Sequence, residues 1–338
     1  MSFGYGLPQE GGPGQLRENT MPQAIEPTPQ VALPSPDPAA LMLLADIADA
    51  GSLTAAARAL GTTQPALSKQ LKRLEQQLGV PVFDRSLRGI VPTEYGLVLL
   101  PRARAIRAQA RQAGEDIAQR KGQREGQLVV ALSHFSTIAL LPTVIPLFRS
   151  LWPRVQLSIT PPPFALAGLR EGAPDFAVMS MPAERLGSEF TARPVYTTTV
   201  AVIVGAVHQL ANAQHLSDLV GAQWIWPSVR SSVTRGLARA FRQARLPEPI
   251  CLTTCETLTG LETLVANTDL VGAVPFEVQR ARAQSNGLHT VPLLQTIEGP
   301  RVAVLRWADA RPTPASADLE EAFVQAARQL ARSTQAPA

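Results

Sequence analysis

The chain has 338 residues, of which 45% are hydrophobic, and its formal net charge is +4. This length accommodates two or three domains with sizeable cores. No apolar run approaches the roughly 20 residues of a membrane span, and no basic segment followed by an apolar run opens the chain. We therefore expect a cytoplasmic protein without a membrane partner.

The positive charge is concentrated in one part of the chain. Residues 40–125 hold 13 Lys and Arg against 8 Asp and Glu, a balance of +5, which leaves about −1 for the remainder. All three lysines, Lys69, Lys72 and Lys121, lie in this part. A basic module on a nearly neutral body indicates a nucleic-acid-binding head attached to a domain with another task.

The N-terminal part begins without a folding signal. Residues 1–37 are rich in Pro, Gly and Gln and lack apolar periodicity, which predicts a disordered N-terminal extension. Residues 38–50 then have apolar residues recurring on one face, which predicts a first helix.

Residues 51–75 have the pattern of two helices joined by a tight turn. Ser52 is an N-cap residue for the first of them, and Gly61 suits its end. Thr63 caps the second helix, and Pro65 lies in its first turn. Leucines at spacings of 4, 3 and 4 give this second helix one buried face.

The other faces of the second helix carry amide, hydroxyl and cationic groups, which suit base edges and phosphates. The candidate DNA-binding residues of the two helices are Ser52, Thr54, Thr63, Gln64, Pro65, Ser68, Lys69, Lys72 and Arg73. The alternative is an ordinary amphipathic helical hairpin whose polar face is only solvated.

Two short extended segments separated by a turn follow the second helix, which is typical of a wing. Arg85 and Arg88, at its tip, are placed to reach the DNA backbone or the minor groove. We assign residues 38–92 to a winged helix-turn-helix domain.

A long helix is predicted over residues 93–121, with Thr93 as its N-cap. Its apolar residues keep a heptad spacing over three repeats, so we expect this linker helix to pair with the same helix of a second chain. The predicted dimerisation residues are Leu99, Ala103, Ile106, Ala110, Ala113 and Ile117.

Several of these positions occur together in a known family. They are Gly51-Ser52, Ala56-Ala57, Gln64-Pro65, Ser68, Leu74-Glu75, Leu78-Gly79, Phe83, Arg85, Thr93 and Gly96. In this order, residues 41–125 resemble the winged helix-turn-helix and linker helix of LysR-type transcriptional regulators. One departure is Leu44, where the family usually has an aromatic residue.

The resemblance implies a set of partners. They are double-stranded promoter DNA with dyad symmetry, a small anionic or aromatic metabolite as effector in the cleft between the subdomains, and further copies of the chain. The chain would form a homodimer or, through a second interface between regulatory domains, a homotetramer. RNA polymerase is a further candidate partner. The resemblance also implies activation of a neighbouring catabolic operon.

From residue 126 the pattern changes to alternating strands and helices, which we interpret as buried parallel strands with crossover helices. The family's second region resembles the periplasmic-binding-protein fold, two α/β subdomains around a cleft. Leu169-Arg170-Glu171-Gly172 and Asp175-Phe176-Ala177 carry this part of the resemblance.

The expected fold class is therefore α/β with an N-terminal all-α winged helix-turn-helix. We expect an effector-binding regulatory domain at residues 126–338. Its subdomain I covers about residues 126–198 and 300–332, and its subdomain II about residues 199–299.

Effector binding is expected at the carboxyl ends of the strands. Residues 133–137 follow the first strand and open a helix, where free N–H groups suit an anion. The candidate effector-binding residues are Ser133, His134, Phe135, Ser136, Thr160, Trp226 and Thr257. For each of the hydroxyl and aromatic residues at this helix start, an ordinary cap or core role is an equal alternative.

No catalytic constellation is present in the sequence. The four histidines are scattered without metal-ligand spacing, and there is no nucleophile elbow, P-loop or dinucleotide fingerprint. We predict no metal, no cofactor and no enzymatic activity, with an α/β enzyme as a distant alternative.

The two cysteines leave one further alternative open. Cys251 and Cys255 lie four residues apart on a predicted strand, too far apart for a disulfide. They are either small core residues or, with an exposed and reactive thiol, a redox sensor. An effector-independent or redox-responsive repressor is therefore the alternative to a metabolite-responsive regulator.

Overall fold

The computed structural model describes residues 35–86, 89–162, 165–181, 186–228, 231–282 and 287–335. The predicted disordered extension therefore lies outside the described residues, apart from its last three. Within the described ranges, no single helix is long and apolar enough to cross a membrane. Pro38–Ala50 and Leu53–Ala59 reach that length and composition only as a pair bent by 114°.

In the part of the N-terminal head that the structure describes, three helices are followed by a two-stranded wing. Its elements are α1 (Pro38–Ala50), α2 (Leu53–Ala59), α3 (Gln64–Leu78), β1 (Phe83–Ser86) and β2 (Gly89–Pro92), and the two strands pair antiparallel. Ser52 Oγ accepts a hydrogen bond from Ala55 N at 3.1 Å, and Thr63 Oγ1 accepts one from Ala66 N at 3.4 Å. Both predicted N-caps are confirmed.

The apolar faces of the three helices meet in one core. Leu67 and Leu71 of α3 are buried against Leu44 and Ile47 of α1. Leu44 is completely buried, so an aliphatic side chain fills this position in place of the aromatic residue that is usual in the resembled family. The predicted amphipathic pattern of the head is confirmed.

A 27-residue helix, α4 (Glu94–Arg120), connects the head to the C-terminal part. Thr93 caps it, because its Oγ1 accepts from Gly96 N at 3.2 Å, and the same hydroxyl donates to Pro81 O at 2.8 Å. Gly96 has no room for a side chain, since a Cβ there would lie 2.3 Å from Val82 O. The start of α4 is therefore fixed against the wing.

Among the described residues, the C-terminal part contains nine strands, and eight of them form a continuous order. The strands are β3 (Glu125–Leu132), β4 (Arg154–Thr160), β5 (Phe176–Ser180), β6 (Phe190–Gly205), β7 (Trp224–Trp226), β8 (Cys251–Thr254), β9 (Val271–Pro275), β10 (Leu288–Thr290) and β11 (Ile297–Trp307). The order is β4-β3-β5-β11-β6-β9-β7-β8, and β10 pairs with β6.

Helices cover both halves of this sheet. They are a π-helical turn (Ser136–Leu140), α5 (Leu141–Leu151), α6 (Ala165–Arg170), a 3-10 turn (Leu216–Leu219), α7 (Ser232–Gln243), α8 (Leu258–Asn267), α9 (Phe276–Arg282) and α10 (Pro314–Gln335). The predicted alternation of strands and helices is confirmed.

The prediction that the strands are all parallel is wrong for the middle of the sheet. β3 pairs parallel with β4 and β5, and β7 pairs parallel with β8 and β9. β6 and β11 pair antiparallel with each other, β6 with β9, and β11 with β5. A buried apolar run has the same composition in either direction, so the sequence pattern does not contain the strand direction.

The two long strands, β6 and β11, each run from one hydrophobic core of the C-terminal part into another. Residues such as Phe148, Phe176 and Phe323 form one core, and Trp224, Leu237 and Phe241 form another. Both β6 and β11 contribute to both of these cores. The subdomain bounds expected near residues 198 and 300 lie within these strands, and they remain a prediction.

Candidate DNA interface and effector cleft

Much of the polar surface of α3 is exposed. Gln64, Ser68 and Lys72 are four residues apart and form one row along the helix, beside the buried face that carries Leu67 and Leu71. The residues of the predicted DNA interface that are exposed are Thr54, Thr63, Gln64, Pro65, Lys69, Lys72 and Arg73, whereas Ser52 and Ser68 are half-buried. An amide and two lysines therefore lie on an accessible helix surface.

Arg73 lies at the edge of this surface. Together with Gln70 it lines a groove between α3 and the start of α1, which also includes Asp37 and Leu43. Gln70 therefore faces away from the side that carries Gln64.

The wing is attached to α3 by a carboxylate whose role the sequence pattern did not reveal. Glu75 Oε1 accepts hydrogen bonds from Val82 N at 2.9 Å and from Phe83 N at 3.4 Å. Phe83 is buried in the core of the head. The wing therefore has a fixed position relative to α3.

Arg85 lies in β1, but its side chain and the whole of Arg88 are outside the described part of the chain.

Ion pairs attach the first half of α4 to α1. Arg107 Nη1 lies 2.6 Å from Asp46 Oδ1 and Arg107 Nη2 lies 2.5 Å from Asp49 Oδ2, while Arg104 Nη2 lies 2.9 Å from Asp49 Oδ1. Burial raises the pKa of Asp49, but hydrogen bonds from Arg107 and Arg104 outweigh it and hold the pKa below its ordinary value. Asp49 is therefore ionised and paired at neutral pH.

The second half of α4 is attached to the C-terminal part through buried polar groups. Asp175 is buried, and its Oδ1 accepts from Gln112 Nε2 at 2.7 Å while its Oδ2 accepts from Val129 N at 2.8 Å. Gln119 is also buried and accepts from Ala315 N at 3.0 Å. Because a buried acceptor without a partner is costly, these bonds fix α4 on the sheet domain.

Arg104 contacts both parts of the molecule. Its Nη2 pairs with Asp49 of the head, and its Nη1 lies 3.6 Å from Glu171 Oε2, in the turn after α6. The side chain of Arg104 therefore connects the two folded parts directly.

The predicted dimerisation seam remains a prediction, but its first half packs within the chain. Ala103 is completely buried in the core of the head, and Leu99 and Ile106 pack against the same core. The heptad pattern required a partner for this face, and the partner is α1 of the same chain. The second half, Ala110, Ala113 and Ile117, is exposed.

At the candidate effector site, the side chains of residues 133–136 support one another. Ser136 is completely buried, and its hydroxyl donates to Val178 O at 2.8 Å while lying 3.0 Å from Ser133 Oγ. The prediction of Ser136 as a direct ligand is therefore wrong, because its hydroxyl is used within the fold. Ser133 is half-buried and His134 is exposed.

Phe135 connects this helix start to the crossing strands. Its ring stacks on Tyr196 of β6, with centroids 5.8 Å apart and the planes inclined by 3°. The Tyr196 hydroxyl donates to Glu277 Oε1 on α9. Burial raises the pKa of Glu277, although the bond from Tyr196 opposes this, and among the described residues its Oε2 has no hydrogen-bond partner.

Tyr196 and Glu277 were absent from the predicted site. Nothing in the local sequence marks either one, since the contact joins residues 81 positions apart.

The other predicted effector residues lie on separate elements. Thr160 ends β4 and is half-buried, whereas Trp226 ends β7 and is buried in the second core. Thr257 is exposed and caps α8, accepting from Gly260 N at 3.3 Å. In the described ranges, no hydrogen bond or ring contact joins these three to Ser133.

The start of α8 nevertheless approaches the first core. Leu258, which follows Thr257, packs against the core cluster that includes Phe135. The beginnings of the π-helical turn and of α8 therefore lie on either side of the boundary between the two cores.

Both cysteines are free thiols in this fold. Cys251 Sγ lies 2.9 Å from Thr253 O, and Cys255 Sγ lies 3.7 Å from Thr257 Oγ1. Across the described part of the chain, no three His, Cys, Asp or Glu side chains are grouped to hold a metal ion.

Two family models match the chain. The model described as bacterial regulatory helix-turn-helix protein, lysR family, matches residues 38–97, and the LysR substrate binding domain matches residues 121–329. The first match ends within α4, and the second begins at residue 121, directly after α4.

Curated relatives include several regulators. A probable RuBisCO transcriptional regulator of Synechocystis sp. is 31% identical over 212 residues, which are 61% of this chain and 61% of that relative. The transcriptional regulator TdcA of Escherichia coli is 22% identical over 259 residues, 76% of this chain and 82% of TdcA. CbbR of Rhizobium meliloti is 34% identical over 172 residues, 49% of this chain and 53% of CbbR. The chain thus spans less than two thirds of two of these relatives.

Solved structures share the fold. CbnR, a LysR family transcriptional regulator, superposes with a TM-score of 0.64 at 21% identity, covering 86% of this chain and 99% of CbnR. A full-length OxyR variant of Pseudomonas aeruginosa gives a TM-score of 0.65 at 20% identity, covering 87% of this chain and 95% of OxyR.

The two family matches distinguish a transcriptional regulator from an α/β enzyme. A helix-turn-helix model covers the head and a substrate-binding model covers the sheet domain. The prediction of a regulator rather than an enzyme is therefore confirmed, and so is the resemblance on which it rested. The chain belongs to the LysR family of DNA-binding transcriptional regulators.

Proposed function

We propose that this chain binds a dyad-symmetric promoter site through α3 and the wing, and that a small anionic metabolite bound near Ser133 alters this binding. The observation that carries the proposal is the accessible face of α3, with Gln64, Lys69 and Lys72, on a head bonded through α4 to the sheet domain. In the ligand-bound state the chain activates a neighbouring catabolic operon.

The side chains of α3 have distinct roles in this proposal. Gln64, at the start of the helix, pairs with an adenine edge in the major groove, and Ser68 contacts a base or a phosphate. Lys69, Lys72 and Arg73 hold phosphates, together with Arg85 and Arg88 of the wing. Ser52 and Thr63 already cap helices through their oxygens, so each contributes its O–H as a donor to a phosphate.

The ligand binds at the start of the π-helical turn. Ser133 offers a half-buried hydroxyl, and the exposed His134 adds an imidazole beside the backbone N–H groups of this turn. Phe135, stacked on Tyr196, forms an apolar support. Thr160, Trp226 and Thr257 complete the site from the other elements when the two halves close on the ligand. Ser136 positions Ser133.

The assembly is a tetramer of identical chains. In the first interface, the second halves of two α4 helices pack together through Ala110, Ala113 and Ile117. Beside them, a Cβ on Gly114 would meet nothing within 4 Å, and the small residues allow close approach of two helices. Ile117 is 57% exposed and is the largest apolar side chain of this half of the seam.

The second interface joins the two edges of the sheet. Edge strand β8 exposes Leu252, and Ile250 precedes it, with exposed fractions of 85% and 70%. The opposite edge, β4 with α5, exposes Ile159, Leu147 and Leu151. In a two-fold dimer, the β8 edge of each chain would lie against the β4 edge of the other. Both apolar edges of both chains are then covered.

The replacement of Gln64 by alanine tests base recognition. We expect Gln64→Ala to lose about 1–3 kcal/mol of discrimination between the preferred duplex and random duplex, because one bidentate base contact is removed. Competition binding by fluorescence anisotropy measures this, with the preferred duplex selected from a random pool by the parent chain. Gln70→Ala is the matched control, since Gln70 lies on the same helix in the groove with α1. Equal weakening on both duplexes would show that Gln64 does not recognise a base.

The replacement of Ile117 by aspartate tests the α4 interface. Ile117→Asp places a charge where two apolar helices are expected to meet, so sedimentation should give an assembly one step smaller than that of the parent. The control is Val207→Asp, because Val207 is 100% exposed and lies in neither proposed interface. An unchanged assembly in the Ile117 variant would remove α4 as an interface.

The replacement of Ser133 by alanine tests the ligand site. A thermal-shift screen of small organic acids identifies compounds that raise the melting temperature, since a ligand that binds only the folded state stabilises it. We expect Ser133→Ala to lose most of that shift and to retain DNA binding without ligand. Ser150→Ala, an exposed serine on α5, is the control. A normal shift in the Ser133 variant would place the ligand elsewhere.

A further inference from the structure

An apolar cavity lies in the C-terminal part, apart from the ligand site proposed above. It lies at the amino ends of three parallel strands, where Trp224 begins β7, Leu252 is the second residue of β8 and Leu270 precedes β9. The candidate effector residues Trp226 and Thr257 lie at the opposite ends of β7 and β8. We call this cavity the apolar pocket.

The inner end of the apolar pocket is part of the second core. Leu219, Trp224 and Phe241 line the pocket, are buried and belong to the same core cluster. The rings of Trp224 and Phe241 meet edge to face, with centroids 6.2 Å apart and planes inclined by 87°. Because core packing fixes these side chains, the inner surface is formed before a ligand arrives.

The mouth of the apolar pocket is apolar as well. Val220, Ile250 and Leu252 line it and are exposed. Apolar side chains therefore line the pocket both at the surface and in the second core, and exposed apolar surface of this kind marks binding grooves. The volume is about 390 Å³, within the range typical of small-molecule sites.

One wall of the pocket is a turn with two prolines. Pro247 and Pro249 line the pocket on either side of Glu248, and their rings restrict the backbone of this segment. Just before them, Leu246 N donates to Phe241 O at 2.9 Å. The turn is therefore attached to the end of α7, which helps the pocket to keep its shape.

Charge is nearly absent from the lining. Among the described residues that line the pocket, only Glu248 is charged, and its Oε1 lies 3.4 Å from Arg242 Nε. Gln223 and Thr253 add neutral polar groups; Gln223 is exposed and Thr253 is half-buried. A charged ligand would lose its hydration here without a compensating partner in the inner end. An apolar lining also offers water few hydrogen bonds, and such cavities bind small apolar molecules.

We propose that the apolar pocket binds a small uncharged aromatic molecule, as a second ligand site of the C-terminal part. Trp224 and Phe241 present ring surface against which a third ring packs edge to face. A single hydroxyl or N–H group of the ligand bonds to Gln223 or Thr253. An α-helix of a partner protein, about 10 Å across with its side chains, does not fit a volume of this size.

The two proposed ligand sites differ in place and in chemistry. The site near Ser133 takes an anion at the carboxyl end of β3, whereas the apolar pocket takes an uncharged ring at the amino ends of β7, β8 and β9. This proposal goes beyond the function proposed above and does not depend on a ligand at Ser133. Ile250 and Leu252 also lie at the β8 edge assigned above to an interface, so assembly is measured separately from binding.

Calorimetric titration of the full chain with indole, an uncharged aromatic molecule, tests the site. We expect indole to bind, and Ala222→Phe to weaken its binding by about tenfold or more, because Ala222 lines the pocket and the added ring occupies the space of the ligand. Leu252→Asp places a charge at the mouth and should weaken binding by about fivefold. Leu294→Asp is the control, since Leu294 is also exposed but does not line the pocket.

Melting temperatures without indole show whether each variant folds. If Ala222→Phe does not, Leu252→Asp carries the test, because Leu252 is exposed and its replacement leaves the core intact. The proposal is overturned if the parent does not bind indole, if a folded pocket variant binds it like the parent, or if Leu294→Asp weakens binding equally.

Ser133→Ala should leave the affinity for indole unchanged, and loss of indole binding in that variant would place the ring in the cleft instead. Sedimentation of the parent with and without indole records the assembly. Failure of the apolar pocket and failure of the proposed interface therefore give different results.

Discussion

Helix α4 is the element on which the rest of the structure depends, because it is bonded to both folded parts. Arg107 and Arg104 pair with Asp46 and Asp49 on the head, and Arg104 also reaches Glu171 on the sheet domain. Exposed ion pairs contribute little singly, but a network that shares Asp49 between two arginines fixes orientation as well. Both folded parts are therefore bonded to the same helix.

Buried contacts also hold α4 against the sheet domain. Asp175 accepts bonds from Gln112 and from the backbone of β3, and Gly172 approaches so closely that a Cβ there would lie 2.4 Å from Ala108 Cβ. These contacts keep the second half of α4 attached to the first core. The second core is linked to the first through β6, β11 and the contact of Tyr196 with Glu277. We therefore expect a bound ligand to change the position of one core relative to the other. Helix α4 should move together with the first core.

Local features of this fold could be predicted from the sequence, and contacts between distant residues could not. The caps at Ser52, Thr63 and Thr93 are decided by residues within three positions, so their prediction was confirmed. The heptad seam correctly predicted an apolar face on α4, but periodicity does not identify the partner, and Ala103 packs inside its own chain. Ser136 was misassigned for a similar reason, since its acceptor is Val178, 42 residues away.

The central claim is that ligand binding in the sheet domain and DNA binding by the head are coupled through α4. Coupling is reciprocal, so specific DNA must change the affinity of the ligand by the same factor by which the ligand changes the affinity for DNA. The direct measurement is calorimetric titration of the full chain with the organic acid that most raises its melting temperature, with and without the duplex selected by the parent. We predict a change in ligand affinity of about 5-fold to 150-fold, the range typical of allosteric coupling. Equal ligand affinity in both titrations would contradict the account.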